Sequence, residues 1–165
     1  MNRFAASSIA FAIALSASSL ARADDTIKHP GDHPSYVVEI EPHLLVGFDR
    51  VGDAAGWGVG GRFSIPIVDN GFVKSINNNV AISFGADILF PGNTAAIDLP
   101  VAMQWNFFVH SRWSVFGEPG LVVGTHRDLH ALPALWAGAR YHFSEHVALT
   151  MRIGYPTFSI GLSFW

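Results

Sequence analysis

The sequence has no cysteine, which excludes disulfides, thiolate metal sites, cysteine nucleophiles and a lipid-modified N-terminal cysteine. Charge is scarce as well: Asp, Glu, Lys and Arg make up 14% of the residues, against roughly 25% in an ordinary soluble domain. The 13 acids slightly outnumber the 10 bases, so there is no electrostatic footprint for a nucleic-acid partner. Beyond residue 23 no stretch approaches the ~18 consecutive apolar residues of a spanning helix. What is present is 16 glycines, 13 phenylalanines and an apolar content of 50% in 165 residues, one domain's worth of chain. Such a composition implies a surface that something other than water covers.

The N-terminus carries its own signature. Arg3 is followed by the uncharged run FAASSIAFAIALSASSL from Phe4 to Leu20, and Ala21, Arg22 and Ala23 then form an A-x-A site before Asp24. This pattern reads as a secretory signal peptide over residues 1–23. The mature chain then holds eight bases and 13 acids, a net charge of −5. Residues 24–35, largely DDTIKHPGDHPS, are polar with two prolines, and the composition predicts an extended or mobile lead-in. The remaining residues, 36–165, form the folded domain.

From Tyr36 onward, successive segments alternate with period two, the strand signature. Tyr36, Val38, Ile40, Leu44, Val46 and Phe48 share one face against Glu39, Glu41, His43 and Gly47. Trp57, Val59, Phe63, Ile65 and Ile67 oppose Gly58, Gly60, Arg62 and Ser64, and Val80 to Phe90 set Ile82, Phe84 and Ile88 against Ser83 and Asp87. Leu99, Val101, Met103, Trp105, Phe107 and Val109 oppose Asp98, Ala102, Gln104 and Asn106. A less regular segment follows from Trp113 to Val123. Three more end the chain, with Trp136, Gly138, Arg140 and His142, then Arg152 and Gly154, then Gly161 and Ser163 on the less apolar face. The count is eight strands. Prolines 42, 66, 100 and 119 each remove a ladder donor, so those strands are expected to bend, bulge or lose pairing there. The longest connection, Asp69 to Asn79, is either a folded flap or contains an extra strand over Phe72 to Ile76.

The less apolar face decides what the apolar face meets. It carries only about seven full charges, namely Glu39, Glu41, Arg62, Asp87, Glu118, Arg140 and Arg152, with His43 and His142 beside them and mostly Gly, Ala, Ser and Thr between. A water-facing surface holds more charge than this. The interior of an eight-stranded barrel, with room for side chains and little else, fits better. The expectation is therefore an all-β chain: an eight-stranded antiparallel up-and-down transmembrane β-barrel whose polar interior is filled by paired side chains.

Aromatics supply a second test, since Trp and Tyr favour membrane–water boundaries. With both termini on one side, one rim collects Phe48, Trp57, Phe90, Tyr155 and Phe158. The other collects Tyr36, Phe107, Trp113, Tyr141, Phe143, Phe164 and Trp165. Two aromatic girdles emerge from alternation alone.

These features, together with the closing run FSIGLSFW, resemble small bacterial outer-membrane β-barrel proteins of the OmpA/OmpX kind. The resemblance implies residence in the outer membrane of a Gram-negative bacterium and contact with outer-membrane lipid. It also implies recognition of the last strand by the barrel-assembly machinery, through Phe158, Ile160, Leu162, Phe164 and Trp165. Trp165 is one step out of phase with the outward face, which makes Phe164 the working aromatic. The nominal outer connections are short, whereas members of this class that bind surfaces do so through long ones.

Constellations for chemistry are few. His126, Asp128 and His130 in THRDLH, and His29, Asp32 and His33 beside Asp24 and Asp25, have metal-ligand types but read as solvated polar segments. No metal or other cofactor is expected. His43 near Glu41, and Ser114 with Glu118 and His142, have no local catalytic signature and read as buried pairing, so no enzymatic activity is expected. The run GWGVGG at 56–61 opens a strand and not a strand-to-helix turn, which argues against a phosphate cradle. The sequence thus points to a structural or surface-interaction role in the envelope. Rival readings are a narrow pore lined by Arg62, Arg140 and Arg152 beside Glu39 and Glu41, a soluble periplasmic carrier with Phe63, Phe84 and Trp105 around an apolar cavity, and a lipid-modifying enzyme. The oligomeric state is not encoded in any of these features.

Overall fold

A computed structural model describes residues 26–48, 56–92, 94–124 and 129–165. Residues 1–23, expected from the sequence to be a signal peptide, together with Asp24, Asp25, His126, Asp128 and the side chain of His130, lie outside the described residues.

Eight strands follow in order: β1 (Glu39–Gly47), β2 (Gly56–Val68), β3 (Asn78–Phe90), β4 (Ala96–His110), β5 (Trp113–Gly124), β6 (His130–His142), β7 (Val147–Tyr155) and β8 (Thr157–Phe164). Each pairs antiparallel with its neighbour in sequence, and β8 returns to β1, so the sheet closes on itself. Closure removes the unpaired strand edges that an open sheet would leave. The alternation read from the sequence is the alternation of the barrel wall. Along β1, Glu39, Glu41, His43 and Leu45 are buried while Ile40, Leu44 and Val46 are exposed. The apolar residues face outward, Phe63 and Phe84 among them, packed ring to ring at 5.9 Å on the outer surface. No apolar cavity is lined by them, which removes the basis for the soluble-carrier reading.

Each of the four prolines coincides with a break on one side of its strand. Pro42 lies between the Ile40–Phe164 and His43–Gly161 pairs, and the β2–β3 register shifts between Pro66 and Val68. Pro100 lies in the gap between Asp98 and Val101 facing β3, and Pro119 in the gap between Gly117 and Gly120 facing β4. The missing N–H costs the ladder on that side, while Pro42, Pro100 and Pro119 stay in register with the strand on the other.

One segment departs from expectation, and a second decides between the two alternatives left open for it. The lead-in is not detached: Thr26–Lys28 form one turn of 3-10 helix, and the segment packs under the barrel end that carries both termini. Thr26 Oγ1 donates to the Phe108 carbonyl (3.2 Å), Asn77 N donates to the Ile27 carbonyl (2.7 Å) and Asn77 Nδ2 to the Asp32 carbonyl (2.6 Å). The His33 ring stacks on Phe108 at 4.8 Å and its Nε2 lies 2.8 Å from the Asp69 carbonyl. A polar, proline-bearing stretch looks mobile by composition, yet its backbone groups find partners supplied by a distant loop. That loop, residues 69–77, is a flap of turns with no extra strand.

Candidate functional site in the barrel interior

All nine residues expected to form the interior polar network point into the barrel. None of its seven full charges is more than 3% exposed. Arg152 on β7 is the hub. Its Nη1 and Nη2 donate to the two Glu41 carboxylate oxygens (2.6 and 2.9 Å), while Nε and Nη2 donate to Glu118 (2.6 and 3.2 Å). Planar guanidinium geometry allows this double fork, which a lysine could not reproduce. Gln104 Nε2 donates to the remaining side of Glu118 at 2.6 Å.

Arg140 on β6 anchors a second set toward the termini end. Its Nε and Nη2 hold Glu39 (3.1 and 3.0 Å) and Nη1 donates to Asn106 Oδ1 (2.7 Å), whose amide continues to Asn79. The third set is looser: Asp87 takes Arg62 Nη2 at 3.3 Å and sits 3.0 Å from His43 Nε2. Arg62 Nε and Nη1 have no partner among the described residues. Ser114 Oγ lies 2.9 Å from His142 Nε2 in the buried interior.

Aromatic rings interleave with these charges. The Phe116 ring lies 4.4 Å from the Arg140 guanidinium and 5.0 Å from that of Arg152, and Trp136 lies 4.9 Å from that of Arg62. Such stacking supplies cation–π attraction where the guanidinium faces are desolvated. Phe116 and Phe108 were invisible as interior residues, because an apolar side chain at an inward position breaks the alternation that marks the strand. Asp98, Gln104 and Asn106 also lie inside, on the face to which alternation assigns them, although Asp98 is a charge beyond the seven counted from sequence. Glycine makes the packing possible: a Cβ on Gly138 would run into the Phe116 ring, and one on Gly60 into Asp87 and His43.

Packed side chains gather toward both ends of the interior. Leu45, Leu89 and Ala96 form a buried apolar cluster at the end opposite the termini. At the termini end, Phe108, His142 and Trp165 meet above the docked N-terminal segment, with His142 5.4 Å from the Trp165 ring. Tyr36 therefore leaves the outer ring to which alternation assigned it, and Trp165, out of phase with the outward face, lies beside it. Their rings pack together at 5.6 Å at this mouth, and burial, reinforced by Glu39, holds the Tyr36 hydroxyl pKa above the ordinary tyrosine range. Phe164 does face outward.

The other aromatics form two sets. Trp57 packs on Phe90 at 4.9 Å, and Val46 pairs with both Trp57 and Phe158, with Phe48 and Tyr155 at the same end. At the termini end Trp113 contacts Tyr141 at 5.0 Å, Tyr141 contacts Phe143 at 5.4 Å, and Phe107 contacts Trp105 at 4.8 Å. Of the C-terminal residues, Ile160, Leu162 and Phe164 are exposed on the outside and Phe158 is half-buried. His29, Asp32 and His33 do not form a metal-ligating group; His33 is spent on Phe108 and the Asp69 carbonyl.

Comparison with solved structures agrees with this geometry. A de novo designed transmembrane β-barrel superposes with a TM-score of 0.52 at 18% identity, covering 84% of this chain and 98% of the design. A second designed barrel, solved in solution, gives 0.52 at 15% identity over 81% of this chain and 95% of its own. The outer membrane protein Ail of Yersinia pestis, solved in a phospholipid nanodisc, gives 0.46 at 13% identity over 75% and 97%. The sequence matches no protein-family description and no curated protein. The chain has the fold of transmembrane β-barrels, in its eight-stranded up-and-down form.

Proposed function

We propose that this protein is a small, exported outer-membrane β-barrel that serves the cell envelope as a closed structural or docking element, without pore or enzymatic activity. The observation that carries this reading is the combination of an outward apolar wall with a buried interior whose arginines are each paired with carboxylates. In lipid the wall is solvated and the charges are not. A water-filled conduit would leave its lining charges solvated, and here none of the seven is more than 3% exposed. The Ser114–His142 pair does not favour a hydrolase, since Ser114 is fully buried and, among the described residues, no carboxylate is hydrogen-bonded to the imidazole. The lipid of the outer membrane and the barrel-assembly machinery are the partners, the latter through the outward row Ile160, Leu162 and Phe164.

Planar-bilayer recording of the refolded mature chain tests the closed interior. The expected result is a flat baseline, and regular conductance steps would replace this reading with a narrow pore.

A further inference from the structure

The two ends of the flap between β2 and β3, Asp69 and Asn77, hold the lead-in at the barrel end, while Phe72 between them packs against the outer wall. Val80 is on the outward-facing phase of β3 yet is fully buried, and its cross-strand partner Trp105 holds the flap in place. The Phe72 ring meets Trp105 edge-on at 5.4 Å, and Trp105 Nε1 donates to Asn78 Oδ1 at 2.9 Å. Trp105 in turn contacts Phe107, so the flap is continuous with the aromatic set at the termini end.

Its backbone is arranged for scarce water. Asn78 Nδ2 donates to the Val73 and Ile76 carbonyls (2.7 and 2.8 Å), Lys74 Nζ to the Asn70 carbonyl (2.9 Å), and Gly71 N to the Asn78 carbonyl (3.0 Å). A solvated loop leaves such carbonyls to water, whereas a segment entering a bilayer must satisfy them internally. With its carbonyls so occupied, the flap presents Phe72 (58% exposed) and Val73 (37%) outward, beside the exposed Lys74.

We propose that this flap is an interfacial foot: Phe72 and Val73 enter the phospholipid headgroup–acyl boundary on the termini side of the barrel. There Lys74 lies at the level of the lipid phosphates. Aromatic and long cationic side chains favour that zone because one end is apolar and the other wet. This inference rests on the membrane-barrel reading.

The absence of cysteine makes a site-specific probe unambiguous. Val73→Cys, Val101→Cys on the outer face of β4 and Ser111→Cys in the exposed β4–β5 turn would each carry an environment-sensitive fluorophore, after refolding into phosphatidylethanolamine–phosphatidylglycerol vesicles. The foot predicts that the Val73 label is quenched by lipids with a nitroxide near the headgroup and shielded from aqueous iodide. The Val101 label would be quenched by deep acyl nitroxides and the Ser111 label by iodide. A Val73 label that behaves like Ser111, with Val101 still quenched from the acyl chains, overturns the foot and leaves the membrane barrel standing. A Val101 label reached only by iodide overturns both.

Discussion

Arg152 shows how much a single residue does in this interior. It pairs with Glu41 and Glu118 at once, so Arg152→Met leaves both carboxylates without their shared cation. Breaking a buried ion pair by removing one partner costs about 3–5 kcal/mol. Arg62→Met removes one 3.3 Å contact to an Asp87 that keeps His43, together with the stacking on Trp136, and it also removes two donors that have no hydrogen-bond partner among the described residues. Urea unfolding in vesicles is expected to show a large loss for the Arg152 variant and a clearly smaller one for Arg62. Equal losses would mean that the interior charges act as a diffuse set and not as distinct pairs. None of these pairings was legible in the sequence. Alternation places Glu39 and Arg140 on the same face, but they lie 101 positions apart, and only barrel closure decides that they meet.

At the scale of the strand, the outer face gives opposite expectations for lipid and for water. Val101 is 51% exposed in the middle of β4, between Phe84 and Leu121. For a soluble protein, an exposed Val→Arg change stays within about 0.5 kcal/mol. At a bilayer midplane it costs about 2–4 kcal/mol. Val101→Arg is therefore expected to lower stability by the larger amount, read from the denaturant midpoint in vesicles. The last strand divides similarly: Phe164 points outward and Trp165 packs on Tyr36 and His142. Phe164→Ser is expected to reduce the amount of folded protein reaching the outer membrane. Trp165→Ser should leave that amount unchanged and loosen the termini end, read as faster proteolysis of the N-terminal segment. The reverse pattern would make the terminal tryptophan the assembly signal.

For the whole molecule, what was legible was what repeats. Period-two patterning sufficed for eight strands, for which face is apolar and for where prolines break the ladder, because each is a local property of a strand. What was not legible depends on single contacts. The docking of residues 26–35 rests on Asn77, whose side chain and backbone hold carbonyls that no pattern distinguishes. The inward turn of Tyr36 and Trp165 depends on each finding the other. The central claim, that the apolar wall faces lipid around an interior of paired charges, is tested most directly by gel mobility of the detergent-extracted chain, boiled against unboiled, after cell fractionation. The account predicts a chain in the outer-membrane fraction whose mobility shifts on boiling, as a detergent-resistant barrel opens. A chain recovered from the soluble periplasm, with identical mobility before and after boiling, would contradict it.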